Sequence, residues 1–124
     1  MLQSKVEVET HIQNNWNTTN IYYDMQEIPV SETEAIQVRF EPVFREQMSY
    51  GGTVSRKREV SQMSITFVGA NTFDVITLVD EMNLILDCFQ GASCTVDVGT
   101  NAIGTILDPS NRAMTMFNYR IEEL

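Results

Sequence analysis

The chain has 124 residues, 43% hydrophobic and 20% charged, and its eight Lys and Arg stand against seventeen Asp and Glu for a net charge of −9. That size and composition describe one soluble globular domain over residues 1–124, long enough to bury a core without disulfides or metals. The acidity excludes tight nucleic-acid binding over the whole surface, which needs a basic footprint. No apolar run approaches the roughly 18 residues of a membrane span, and MLQSKVEVETH lacks the apolar segment of a signal peptide, so a cytoplasmic chain with no membrane partner is expected.

Residues 4–16 are predicted helical, because Val8, Ile12 and Trp16 recur every four residues and share a face with His11. Glu7 and Glu9 are placed in its first turns, where the helix dipole favours acids. A run of Asn and Thr then breaks the pattern. Ile21, Tyr22 and Tyr23 make a short strand, and DMQEIPVSETEA reads as an irregular crossing loop tethered by Met25, Ile28 and Val30. From Ala35 the period becomes two: Ile36, Val38 and Phe40 face one way, Gln37, Arg39 and Glu41 the other. Pro42 interrupts the ladder, so this strand is at an edge or bulged. A second long strand runs from about Arg56 to Val68 with Met63, Ile65 and Phe67 inward. Val60 has the opposite parity, which predicts a bulge or twist near Ser61 and Gln62. Gly51 and Gly52, which tolerate positive φ, form the turn between the two strands.

Gly69 closes that strand, and Asn71 and Asp74 have capping-box spacing. Val75, Leu78, Val79, Met82, Ile85, Leu86 and Phe89 then outline an amphipathic helix of about eighteen residues, stopped by Gly91. Its polar side holds Asp74, Asp80, Glu81 and Asp87 with no Lys or Arg, and Phe73, Ile76 and Leu84 add apolar area outside the main stripe. Cys94, Val96 and Val98 alternate as a strand. Residues 99–104 are ambiguous, with Ile103, Ile106 and Leu107 suggesting a short buried strand or turn. DPSN at 108–111 is a turn, and Ala113, Thr115, Phe117, Tyr119 and Ile121 form one face of a last strand. The order predicts an α+β domain: a mainly antiparallel sheet, two helices packed on one face, and a long projecting hairpin at about 43–60.

Chemistry is sought with little result. His11 is the only histidine, with no Cys or Ser elbow near it, and no phosphate-binding, dinucleotide or zinc-protease motif is present. Cys88 and Cys94 read as buried free thiols, and no spacing supplies a fourth ligand for a zinc site. GANTFD opens a helix whose free amides could hold an anion, but Asp74 competes there. Asp80 and Glu81 are adjacent on a helix and diverge by about 100°, so they read as solvated acids rather than a catalytic pair. No catalytic residue, cofactor site or metal site is assigned, and an enzyme is not expected.

Charge distribution is more informative. Residues 35–60 carry a net +2 from Arg39, Arg45, Arg56, Lys57 and Arg58 against Glu41, Glu46 and Glu59, so the remainder carries −11. A solvated hairpin whose charges keep an edge strand from aggregating is one reading. The other is head-to-tail assembly, in which a basic protrusion meets an acidic helix face on the next copy and repetition closes a ring. The hairpin stretch from Phe44 to Glu59 could project about 20 Å, and its tip has few large apolar residues to pack on its own core. Candidate intersubunit residues are Arg45, Tyr50, Arg56, Lys57 and Arg58 on the hairpin, and Asp80, Glu81 and Asp87 on the helix.

The succession of a helix ending in HIQNNWNTTNIYYD, a Pro-containing loop, EAIQVRFEP, a long hairpin, a strand closing on Gly69 and an amphipathic helix resembles the tail terminator proteins of long-tailed bacteriophages. The likeness covers roughly residues 4–91, and Asn15, Trp16 and Thr19 form its most specific element. The resemblance implies a small α+β subunit of a hexameric ring, without activity or cofactor, whose hairpin makes intersubunit contacts over about 43–60. Such a ring caps the tail tube, halts its polymerisation and meets neck or connector proteins at the head-proximal end of the virion tail, after assembly in the bacterial cytoplasm. DNA would pass through it without specific binding, which an acidic wall suits. The alternatives are an adjacent neck ring, a small-molecule binding module with a pocket between the sheet and Tyr22, Tyr23 and Met25, or a small enzyme working through carboxylates.

Overall fold

A computed structural model describes the backbone of residues 2–41, 44–50, 54–91, 94–97, 106–107 and 112–123, with side chains over 5–41, 61–91, 94–97 and 112–122. The predicted turns at Gly51–Gly52 and at 108–111, and the ambiguous stretch 99–104, lie outside the described residues. The described residues form two helices and seven strands: α1 (Leu2–Asn15), β1 (Asn20–Tyr23), β2 (Ala35–Phe40), β3 (Phe44–Tyr50), β4 (Val54–Gly69), α2 (Thr72–Asp87), β5 (Cys94–Asp97), β6 (Ile106–Leu107) and β7 (Ala113–Glu123). The strands make one open sheet in the order β1-β2-β4-β7-β5, with β3 beside β4 and β6 beside β7. Only β1 against β2 is parallel, so the expected α+β class with a mainly antiparallel sheet is what forms.

The register explains the core. Ile36 pairs with Phe67 and Phe67 with Thr115; Val38 pairs with Ile65 and Ile65 with Phe117; Phe40 pairs with Met63 and Met63 with Tyr119. These rows share one face because strand side chains alternate, and all but the buried Thr115 join one apolar cluster. Val8 and Ile12 of α1, Trp16 just after it, and Val75, Leu78, Val79, Met82 and Leu86 of α2 complete it, so both helices cover the same face. Tyr119 is fully buried; its hydroxyl donates to Asn83 Oδ1 at 2.8 Å, and burial pushes its phenol well up.

Local chemistry sets the helix ends. α1 starts at Leu2, two residues before its predicted start, so Glu7 and Glu9 lie beyond the first turn and give its dipole no support there. It ends in the Asn-Trp-x-x-Thr element, where the Asn15 amide donates to the His11 carbonyl at 2.8 Å and the Trp16 indole to Thr19 Oγ1 at 3.1 Å. Asn71 caps α2 by accepting from the Asp74 amide at 2.9 Å. α2 is shorter than its apolar pattern: it closes at Asp87 with Cys88 as C-cap, and the Phe89 amide bonds back to Leu86 at 3.1 Å. That last turn brings Phe89 edge-on to His11, with ring centres 5.2 Å apart. A Cβ on Gly91 would come within 2.6 Å of the Phe89 ring and 2.7 Å of the Cys94 carbonyl, so the chain passes here only without a side chain. Cys94 is buried as expected, but Cys88 is exposed, because the chain leaves the helix just after the buried Leu86.

Three further expectations are corrected. No bulge breaks β4 at Ser61 and Gln62: its pairing with β7 is continuous from Val60 to Gly69. The extra residue lies opposite, since three residues separate Phe40 from Phe44 while two separate Met63 from Val60. Met25 and Val30 are 86% and 76% exposed and tether nothing, and only Ile28 is half-buried.

The crossing loop is held by polar bonds instead. Asp24, at φ 52°, takes the left-handed conformation that a short polar side chain tolerates. Its amide donates to Val38 O at 2.8 Å, one carboxylate oxygen accepts from the Phe40 amide at 3.3 Å, and the other meets Lys5 Nζ at 3.1 Å. Gln37 donates to the carbonyls of Asp24 and Gln26. Glu32 accepts from Asn20 and from Tyr22, each at 2.8 Å. Arg112 donates to the Pro29 and Glu32 carbonyls at 2.9 and 2.8 Å.

Replacing Asp24 with Ala removes these acceptors and strains the left-handed position, so it is expected to cost about 1–3 kcal/mol in urea unfolding. Asp24→Asn keeps the conformation and is expected to cost less than about 1 kcal/mol, the worth of an exposed ion pair. The bonds from Asn20 and Tyr22 hold the Glu32 carboxyl below its usual range, and the same bond pushes Tyr22 up. A lowered folded-state pKa stabilises above the ordinary carboxylate range, and that stability is lost as pH falls through the lowered value. Thermal melts from about pH 6 to about pH 3 should therefore drop further in the natural chain than in Glu32→Gln.

Candidate functional site

The pairing of β4 creates the most distinctive surface. Its residues 63–68 pair with β2 and 54–60 with β3 along one edge, whereas β7 covers the other edge only over 60–69. Among the described residues no strand pairs the β7-side edge of Val54–Glu59, and none pairs the outer edge of β3. Six residues of β4 thus run past the sheet as a two-stranded ribbon about 20 Å long. An isolated two-stranded hairpin is marginal in water, and unpaired strand edges invite a partner.

Register sorts the basic candidates on this ribbon. Arg45 stands opposite Glu59, and Arg58 opposite Glu46, the positions where cross-strand charges compensate. Arg56 and Lys57 stand opposite Met48 and Gln47. Arg56, Lys57 and Arg58 are consecutive in β4. Tyr50 pairs with Val54 at the end of the ladder. The side chains of all five hairpin candidates lie outside the described residues.

The acidic candidates sit on α2. A helix advances about 100° per residue, so Phe73, Ile76, Asp80, Leu84 and Asp87 fall along one stripe, opposite the buried Val75, Leu78, Val79, Met82 and Leu86. Phe73, Ile76 and Leu84 are 78%, 51% and 68% exposed. Asp80 and Asp87 are exposed within the same stripe. Glu81 does not join them: it lies at the flank, and both its carboxylate oxygens are 2.6 Å from the Thr18 hydroxyl, which donates to it. The Thr18 to Glu81 bond fixes the turn after α1 onto α2, a structural task that spacing within α2 could not reveal.

Asp87 is placed against the helix dipole. The last turn of α2 carries this acid and no base, whereas the C-terminal end of a helix favours cations. A positive group from another chain would relieve that arrangement.

Other features are structural or shallow. His11 Nε2 donates to the Ile85 carbonyl at 2.7 Å, so the only histidine ties α1 to α2. The described surface includes an open hollow of about 360 Å³ between Asn17–Asn20 and Glu32–Glu34, and another of about 350 Å³ between α1 and Phe89–Gly91. Neither of these is walled by Tyr22, Tyr23 or Met25, the residues of the alternative small-molecule reading. Among the described residues no cluster of His, Cys, Asp and Glu could hold a metal, and no helix is long and apolar enough to cross a membrane.

No protein-family model matches the sequence, and no curated protein matches it. Solved structures do. One chain, which carries no functional description, has a TM-score of 0.66 at 9% identity, covering 98% of this chain and 94% of that one. A chain of the virion of a native gene transfer agent particle has a TM-score of 0.49 at 15% identity, covering 98% and 93%. At such identities the first likeness is one of fold alone, and the second is too loose to add to it.

Removing the acid from the negative end of α2 should stabilise a single chain while weakening any contact that uses it. Asp87→Asn is expected to raise the stability of dilute protein by about 0.3–1 kcal/mol and to shift association to higher concentration, as read by urea unfolding and sedimentation.

Proposed function

We propose that this chain is a non-enzymatic structural subunit of a closed ring at the head-proximal end of a phage-type tail. The ring caps the tail tube, stops its growth and meets the neck proteins, with DNA passing through it. The observation that carries this reading is the ribbon: β4 outruns the described β7 by six residues and leaves strand edges that no other described strand pairs. The resemblance of residues 4–91 to tail terminators supplies the hexameric number, the tail position, and the tube and neck partners.

Charge supports the same assembly. Arg56 and Lys57 have no acid opposite them in the ladder, while every charged residue of α2 is acidic. A contact between two different patches of the same chain is head-to-tail, and it closes into a ring when its rotation allows. The acidic remainder of the surface repels phosphate and would let a duplex slide. An adjacent neck ring would use the same contact and differs in the neighbour it caps.

Arg56→Glu with Lys57→Glu is the direct test. Both positions lie beyond the end of β7, so the far-ultraviolet spectrum should be that of the natural chain. Light scattering should report a ring mass for the natural chain and a single-chain mass for the double variant. An unchanged ring mass in the variant would contradict the electrostatic contact. With purified tail tubes, added ring should stop elongation, and continued growth would contradict the capping role.

A further inference from the structure

The outward stripe of α2 carries three of the six large apolar side chains exposed among the described residues, and neither the fold nor the ring reading in its general form uses it. Phe73, Ile76 and Leu84 project from the side opposite the core, with Asp80 and Asp87 between and beyond them. A helix face of that composition is unusual on a solitary domain, since large apolar side chains lined up in one exposed strip mark an interaction site.

We infer that this stripe is the seat for the β3–β4 ribbon of a second copy, with Phe73, Ile76 and Leu84 giving the contact its area and Asp80 and Asp87 its register. The inference rests on the ring reading above and names its receiving surface. Three observations select this occupant. The first is charge: α2 has no Lys or Arg along its length, and the ribbon offers Arg56 and Lys57 opposite the uncharged Met48 and Gln47. The second is length. The stripe from Phe73 to Asp87 measures about 21 Å at helical rise, and the overhang Val54–Glu59 about 20 Å at strand rise. The third is placement. α2 packs on β4 and β7 through its buried face, so the stripe points away from its own sheet, while the ribbon continues that sheet beyond β7. The two surfaces of one chain therefore meet on different copies.

Glu81 takes no part, because Thr18 holds it against the turn after α1.

Photocrosslinking of the full chain tests this. A photoreactive benzoylphenylalanine replaces Thr77, which is exposed at the margin of the stripe. Light and heavy isotope copies are mixed at a concentration where rings form. Irradiation should give light-to-heavy links from position 77 onto residues 44–60. Rings without such links, or with links elsewhere, including onto tube protein when tubes are added, would overturn the inference and leave the ring reading standing. A single-chain mass at every concentration would overturn both. In parallel, Phe73→Ser with Leu84→Ser removes exposed groups only, so the melting temperature of dilute protein should stay put. Association should weaken at least about tenfold through the lost apolar area. Unchanged association of that variant would overturn the proposal.

Discussion

Strand β4 is sixteen residues long, and its neighbours do not match it. Over its last ten residues it is a central strand, held on one side by β2 and β3 in turn and on the other by β7. Over its first six, among the described residues, it pairs with β3 alone. Backbone N–H and C=O groups need partners wherever water is excluded. Such a strand joins a half that is paired on both edges to a ribbon that, among the described residues, has open edges. Assembly, charge placement and the outward stripe of α2 all take their meaning from that mismatch.

The half paired on both edges is built conventionally. Odd-numbered positions of β4 from 63 to 67 and of β7 meet Ile36, Val38 and the inner faces of both helices, and the buried Tyr119 hydroxyl finds its partner in Asn83. The crossing loop spends little apolar surface and relies on Asp24, Glu32 and Arg112. Against that consistency one side of α2 stands out, with three large apolar residues in solvent and an acid at the negative end of the helix. Locally unfavourable choices in an otherwise consistent chain tend to mark function.

Much of this was legible in the sequence because periodicity reports burial. Ala113 to Ile121 alternate cleanly and form the inner face of β7; Val75 to Leu86 recur at helical spacing and form the buried side of α2. The exposed Phe73, Ile76 and Leu84 were visible as residues outside that spacing. Pairwise facts were not visible. Nothing in IYYD announces a parallel strand, since parallel and antiparallel pairs share the same alternation. Met25 and Val30 look like anchors in a polar loop, but the bonds that hold the loop come from residues such as Arg112, about eighty positions away. Glu81 resembles Asp80 in sequence and differs only because Thr18 reaches it. The strand register that sets Glu46 opposite Arg58 and Glu59 opposite Arg45 was likewise not legible in the sequence.

Amide hydrogen exchange along β4, followed as a function of protein concentration, tests the central claim most directly. The account predicts that amides of Ile65 and Phe67 are protected at every concentration. Those of Val54 to Glu59 should exchange quickly in dilute protein and become protected as copies associate. Equally slow exchange of Val54 to Glu59 in a solitary chain would show a ribbon complete by itself and would contradict the account.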